Sequence, residues 1–210
     1  MRPLTQRQVA KRDQIRSAAA GLFLAHGFAG TSMDAVTLAA GISKETLYRY
    51  YENKASLFAD VLGHLIAEPS HSTPERATKP RLRDRSELEA VLVSGSTRYL
   101  ASVMAPTQLS LLRIVIAEGS RFPDLVEAFR ATLPATGGAM VIGALEAGRE
   151  AGLVADWIDV RTAARAFAGL LMMFILRDGL LVADPKLPDR RQLAQMVRIF
   201  VNGVGVVASV

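Results

Sequence analysis

Residues Thr31 to Lys54 read TSMDAVTLAAGISKETLYRYYENK, and this stretch decides how the chain is understood. Thr31 is suited to cap a helix, and Asp34 three positions on makes a near capping box, with Asp in place of the longer Glu. Val36 and Ala40 stand one helical turn apart, and the helix they predict stops at Gly41. That glycine supplies the positive φ that a sharp bend favours and other residues adopt at a cost. Ser43 caps a further helix predicted over Lys44–Tyr51, and Asn53 caps another from about Lys54 to Ala67. Two short helices joined by a glycine turn, then a hydrophobe (Ile42) and a capping serine, form the pattern of a helix-turn-helix. Val36, Ala40, Ile42 and Leu47 supply its inward face. Lys44, Glu45, Tyr48 and Arg49, with Thr46 beside them, are left on a face free to enter a major groove. Lys can read guanine or a phosphate, Tyr can donate to a phosphate oxygen, and Arg can pair bidentately with guanine.

Upstream, Ile15, Ala19, Leu22 and Phe23 form the apolar face of a first helix over roughly 7–26, ended by Gly27. Its polar face carries Arg7, Lys11, Arg12 and Arg16. The chain of 210 residues has a formal charge of +5, and residues 1–54 hold +4 of it, with eight basic and four acidic side chains. A single-sign field confined to the first quarter points to a polyanionic partner for that quarter, nucleic acid or a membrane surface.

Downstream, Pro69, Ser70, Ser72, Pro74 and Pro80 mark a loop, which also carries Arg76, Lys79, Arg81, Arg83 and Arg85. The helix before it presents Leu57, Phe58, Val61, Leu62 and Leu65, an apolar face that later helices must cover. Helices are predicted at roughly 86–104, 106–120, 123–152, 159–180 and 189–207. Pro106 and Pro123 fit first-turn positions, Asp159 and Asp189 fit N-terminal ends, and Gly152 fits a stop. The 123–152 segment contains Pro134 and Gly137-Gly138, where it can kink or divide. With no sustained period-two alternation, the fold class is all-α with about nine helices.

Half of the residues are apolar, enough to bury a substantial core. No cysteine is present, which excludes disulfides, thiolate metal sites and a cysteine nucleophile. His26, His64 and His71 are isolated from one another and make no metal-ligand spacing, so neither metal nor cofactor is expected. The longest apolar run, Ala166 to Leu176, is shorter than a bilayer span. The polar N-terminus has no signal-peptide pattern, and the chain reads as soluble and cytoplasmic. An enzyme is not expected, because residues after 54 cluster no nucleophile, base and orienting acid; Glu118, Glu146 and Glu150 read as helix surface.

The sequence resembles the tetracycline-repressor (TetR/AcrR) family of bacterial transcription regulators. The matching residues are Leu22-Phe23, Gly27-Phe28, Gly30-Thr31-Ser32, Ala39-Ala40-Gly41-Ile42-Ser43-Lys44, Thr46-Leu47-Tyr48-Arg49-Tyr50-Tyr51, Asn53-Lys54 and Leu57-Phe58. They cover about residues 11–68. The resemblance implies a DNA-binding domain over 8–54 and an effector-binding and dimerisation domain over 55–210. By position it implies phosphate contacts from Thr31, Tyr48 and Lys54, with base or backbone contacts from Ser43, Lys44, Thr46, Arg49 and Tyr50; Ser32 belongs to the same site. Two departures stand out: Thr37 where the family commonly has Ala, and Tyr51 where Phe is common. A second match, Arg113 to Leu125 continuing to Phe129, resembles the C-terminal domain of an AefR-like subgroup.

The family also implies a homodimer on a palindromic operator and a small-molecule effector. Ala166–Leu176 is apolar all round, and a second apolar stretch, Val204–Val210, closes the chain; exposing both would exceed what a soluble monomer tolerates. The expected dimer interface comprises Phe167, Leu171, Phe174, Ile175, Met196, Phe200 and Val204. The candidate effector pocket comprises Leu62, His64, Tyr99 and Met104 together with Arg113, Trp157, Phe167 and Met172. Ordinary core packing serves the apolar members equally, and His64 fits a satisfied semi-buried histidine as well as a ligand contact. The reading is a sequence-specific DNA-binding repressor released by a small, largely apolar effector; the alternative is a DNA-binding regulator without small-molecule control.

Overall fold

The computed structural model describes residues 5–67, 82–133 and 138–205. The arginines at 76 and 81, Lys79, His71, Pro134 and residues 206–210 lie outside them. Ten α-helices run in order among the described residues: α1 (Gln6–Gly30), α2 (Met33–Ala40), α3 (Lys44–Tyr50), α4 (Lys54–Ala67), α5 (Arg85–Val103), α6 (Pro106–Glu118), α7 (Pro123–Leu133), α8 (Ala139–Glu150), α9 (Val160–Phe174) and α10 (Arg190–Val204). The one β feature described is an isolated bridge between Val154 and Gly205. No single helix among the described residues is long and apolar enough to cross a membrane.

Two compact units emerge. The first gathers the chain up to Leu65 with Thr107–Leu133, and the second gathers Ile66–Pro106 with Pro134–Val210. In the first, Phe23, Phe28 and Phe58 are fully buried. Phe23 and Phe58 meet edge to face at 4.9 Å, and Phe28 meets Phe58 at 5.7 Å and Phe122 at 5.1 Å. Burying each such ring contributes about 1.5–3 kcal/mol, with about 0.5–1.5 kcal/mol more for each edge-to-face pair. Ile15, Ala19, Val36, Leu47, Leu57 and Leu62 close the core around them. In the second unit α5 packs on α8 and α10, and α9 lies against both α8 and α10. There Phe167 meets Phe200 edge to face at 4.8 Å.

Most expected helix limits stand within two residues, because the punctuation is chemical. Pro106 and Pro123 open α6 and α7, where a missing N–H costs nothing. Asp84 caps α5 by accepting from the Glu87 N–H at 3.0 Å, and Asp159 caps α9 by accepting from the Thr162 N–H at 2.7 Å. The 123–152 segment is divided into α7 and α8. The 159–180 segment is α-helical to Phe174 and continues as a π-helical turn over Ile175–Leu180.

Two corrections concern the first 54 residues. The cap of α2 is Ser32, not Thr31: the Ser32 Oγ accepts from the Ala35 N–H at 3.1 Å. Thr31 is 2 % exposed, and its hydroxyl donates to the Gly27 carbonyl at 2.8 Å, finishing the preceding helix instead. The basic face of α1 is also not all free to meet a polyanion. Arg12 and Arg16 turn onto Asp60 of α4, whose carboxylate receives two hydrogen bonds from each guanidinium at 2.7–3.1 Å and one from the Tyr51 hydroxyl at 2.6 Å. Both family departures thereby acquire hydrogen bonds: Tyr51 through Asp60, and Thr37 by donating to the Asp34 carbonyl at 2.7 Å.

Candidate nucleic-acid interface

The glycine turn sets the geometry of the site. Gly41 adopts φ +58° and ψ +44°, and its N–H donates to the Leu38 carbonyl at 3.2 Å while the Ile42 N–H donates to that of Thr37 at 3.1 Å. This closes the end of α2 and turns the chain into α3. The Ser43 Oγ then accepts from the Thr46 N–H at 3.2 Å and lies 2.9 Å from the Thr46 Oγ1. Leu47 is fully buried, Val36 and Ala40 are buried beneath it, and Ile42 is half-buried. Anchored on that side, α3 leaves Lys44, Glu45, Tyr48 and Arg49 exposed on the other, with Tyr50 half-buried. Tyr48 is 51 % exposed, high for a tyrosine serving only as packing.

The charges on this face are ordered. The Lys44 Nζ lies 2.8 Å from the Asp34 Oδ1, an exposed ion pair that ties α3 to α2. That hydrogen bond, then the carboxylate's charge, raises the Lys44 pKa above its ordinary value. The Arg49 guanidinium lies 5.9 Å from the Tyr50 ring centroid. Beside α3 an open groove of about 880 Å³ is lined by Thr5, which caps α1, by Arg7, Gln8 and Lys11 of α1, and by Thr46, Arg49 and Tyr50 of α3. Arg7, Lys11 and Arg49 thus stand along one channel, a cationic track of the kind that follows a phosphate backbone.

The remaining expected contacts are engaged elsewhere. Burial removes Thr31 from the exposed face. Lys54 donates from Nζ to the Phe28 carbonyl at 2.6 Å and to the Thr31 carbonyl at 2.8 Å, with its ammonium 4.4 Å from the Phe28 ring centroid. Burial lowers its pKa, and the charges of Glu118 and Asp124 oppose that shift. For Asp60 the balance runs the other way. Burial alone would push its carboxyl up, but the hydrogen bonds from Arg16 and Tyr51, with the charges of Arg16 and Arg12, hold it below the ordinary value. The Tyr51 phenol is pushed up to about 12, first by burial and then by its bond to Asp60.

The expected pocket and interface residues are distributed over the two compact units. Leu62, His64 and Arg113 belong to the first compact unit, and Tyr99, Met104, Trp157, Phe167 and Met172 to the second. Leu62 is fully buried core, and His64 presents its Nδ1 3.2 Å from the Arg16 Nη1. Met104 is buried, whereas burial of the Tyr99 phenol pushes its pKa up. Trp157 is 80 % exposed, and Met172 stands exposed on α9. Of the expected dimer residues, Phe167, Leu171, Ile175, Phe200 and Val204 are buried within their own protomer, and Phe174 and Met196 are half-buried. The exposed apolar side chains of these helices are Leu170, Met172, Met173 and Leu176, with Ile199 on α10. An all-apolar run has no periodicity to tell inward from outward, so the sequence alone does not say which side its own protomer covers. Glu118 was missed too: it reads as helix surface, yet its carboxylate accepts from two backbone N–H groups 90 and 89 positions upstream.

Comparison with known proteins agrees with this geometry. Residues 15–61 match the family model described as "Bacterial regulatory proteins, tetR family", and residues 90–203 match "AefR-like transcriptional repressor, C-terminal domain". Over 65 residues the chain is 37 % identical to the HTH-type transcriptional repressor SCO4008 of Streptomyces coelicolor, a match spanning 31 % of this chain and 34 % of that protein. The chain therefore matches about a third of the length of that curated relative. Among solved structures, the flavonoid-responsive regulator FrrA is 27 % identical, with a TM-score of 0.67 over 95 % of this chain and all of that one. A TetR transcriptional regulator from Agrobacterium tumefaciens, 23 % identical, shares the fold with a TM-score of 0.69 over 94 % of this chain and 95 % of its own. With residues 15–61 and 90–203 matched and the helix-turn-helix in place, this protein belongs to the TetR family of bacterial transcriptional regulators, DNA-binding proteins rather than enzymes, and its C-terminal domain is of the AefR-like type.

Proposed function

We propose that the protein is a cytoplasmic, ligand-responsive repressor that binds a palindromic operator as a homodimer and is released by a small, largely apolar effector. The observation that carries the DNA-reading part is the solvent face of α3, with Lys44, Tyr48 and Arg49 exposed beside the cationic track from α1. In this reading Lys44, Arg49 and Tyr50 meet bases or backbone, Tyr48 meets a phosphate, and the hydroxyls of Ser32, Ser43 and Thr46 flank them. Function divides near residue 54, with 8–54 serving the operator and 55–210 the effector and the partner subunit. The exposed apolar face of α9, where Met173 is 59 % exposed, supports a second copy as its cover. A two-fold dimer presents two copies of α3 to two half-sites.

The effector class is supported by likeness: a 27 %-identical regulator carries the description flavonoid-responsive. A coupling of about 1–3 kcal/mol between effector and operator suffices to lower operator affinity by about 5- to 150-fold. The test is a duplex selected from a random library by the protein itself, titrated with and without members of an aromatic metabolite library. A compound that stabilises the protein in a thermal shift and weakens duplex binding supports release by ligand. Intact duplex binding with no stabilising compound would favour a regulator without small-molecule control.

A further inference from the structure

The join between α1 and α2 is gripped from outside the helix-turn-helix. At Gly27 the backbone takes φ +71° and ψ −179°, which breaks the helical ladder. The next two N–H groups, of Phe28 and Ala29, converge on one carboxylate: they donate to the Glu118 Oε1 at 2.9 Å and to the Glu118 Oε2 at 2.6 Å. The same short turn is held at its carbonyls by the Lys54 ammonium. A side chain at position 27 would place its Cβ 2.7 Å from the Glu118 Oε1, so glycine is needed both for the backbone angle and for the approach of the acid. Phe122, just beyond α6, packs its ring on Phe28 and seals the turn. Glu118, Phe28 and Lys54 all lie in the first compact unit.

Three residues beyond Ala29, Ser32 caps α2, and α2 in turn is joined to α3 through Gly41 and the Asp34–Lys44 pair. A rotation at Phe28 and Ala29 is therefore transmitted to the reading helix. We propose that Glu118, at the end of α6, is a positioning residue for operator binding: it fixes the α1–α2 turn and so the aim of α3. The inference rests on the reading that α3 faces the operator. It carries a sign that charge alone reverses. Removing an acidic side chain from a DNA-binding unit reduces repulsion and should tighten binding; removing a positioning residue loosens it.

The experiment uses the full chain and a duplex selected from a random library by the unaltered protein. Glu118→Ala, Glu118→Gln and Arg49→Ala are titrated at several salt concentrations, with circular dichroism recorded at the assay temperature. Glu118→Ala is expected to weaken binding about tenfold, the scale of a residue that acts without touching the ligand. The slope of log Kd against log salt should stay unchanged, because no phosphate contact is lost. Glu118→Gln, with one carbonyl oxygen for two N–H groups, should fall between, and it carries the test if the alanine variant does not fold. In 15N spectra the Phe28 and Ala29 amide signals should shift upfield in both variants while the helical dispersion persists. Arg49→Ala should weaken binding and flatten the salt slope. Glu118 variants that bind as tightly as the unaltered protein, or more tightly, overturn the proposal while the Arg49 result stands. A loss that merely follows the unfolded fraction overturns it as well. If Arg49→Ala is also without effect, the α3 face itself is misassigned, and the role of Glu118 falls with it.

Discussion

Replacing Asp60 by Asn tests whether the charge cluster between α1 and α4 holds the first unit together. The side chain is 19 % exposed, and its partners Arg16 and Arg12 are 15 % and 33 % exposed. Asn keeps the volume, so no cavity is created, but it removes the charge and turns an amide N–H₂ toward two guanidinium groups. Breaking a buried pair from one side costs about 3–5 kcal/mol. Arg12 is near enough to water to recover part of that, so the expected loss is about 2–4 kcal/mol. With a urea slope of about 2 kcal/mol/M, the midpoint should fall by about 1–2 M. Circular dichroism is the suitable signal, because the single tryptophan, Trp157, lies in the other unit. The Asp60 carboxyl sits below its ordinary 3.8 in the folded protein. Its stabilisation is therefore complete above the unfolded value and lost as pH falls through the folded one, and the gap between the two proteins should close only below about pH 4. A midpoint within about 0.3 M of the unaltered protein at neutral pH, or a gap independent of acid, would refute the reasoning.

Other substitutions probe the remaining features. Lys54→Ala should lower the melting temperature and weaken duplex binding without changing the salt slope, since its ammonium serves the Phe28 and Thr31 carbonyls; a flattened slope would return it to the phosphates. Gly41→Ala should cost about 1–2 kcal/mol in thermal unfolding, because an L side chain must adopt φ +58°. Met173→Asp should yield a monomer by sedimentation with the helical content retained, whereas Phe167→Ala should lose about 3–5 kcal/mol of stability with the oligomeric state retained. The reverse pattern would restore the interface first expected. In alkali, Tyr51→Phe should remove the part of the stability loss that develops between pH 10 and about 12: the raised phenol favours the folded state below 10 and ceases to do so above its folded value.

What could be read from the sequence was whatever local chemistry decides. Gly41, Ser43, Asn53, Pro106, Pro123 and Asp159 act on their immediate neighbours, so the helix limits and the exposed face of α3 followed from a few residues at a time. The failures share a different cause. Thr31 and Ser32 are both competent caps, and only the carbonyl exposed at Gly27 decides which hydroxyl is drawn inward. Arg12 and Arg16 look solvated until Asp60, more than forty positions away, is brought to them. Glu118 and Lys54 serve backbone groups, which leave no mark in side-chain patterning. On α9 the obstacle was the absence of contrast: a segment apolar on every side offers no information about which side its own protomer covers.

The join at Phe28 has a temporal side. The first compact unit is discontinuous, and Phe122 and Glu118 are translated well after the helix-turn-helix they complete. At about 5–20 residues per second, a ribosome needs several seconds to pass from Leu65 to Phe122. Until then the nascent chain holds the Phe28 ring without Phe122 and two N–H groups without their acid. The elements made first are thus finished late. On the proposal that Glu118 positions α3, a half-made chain has every residue of that helix but not the brace that aims it, and operator competence follows only once synthesis has passed α6.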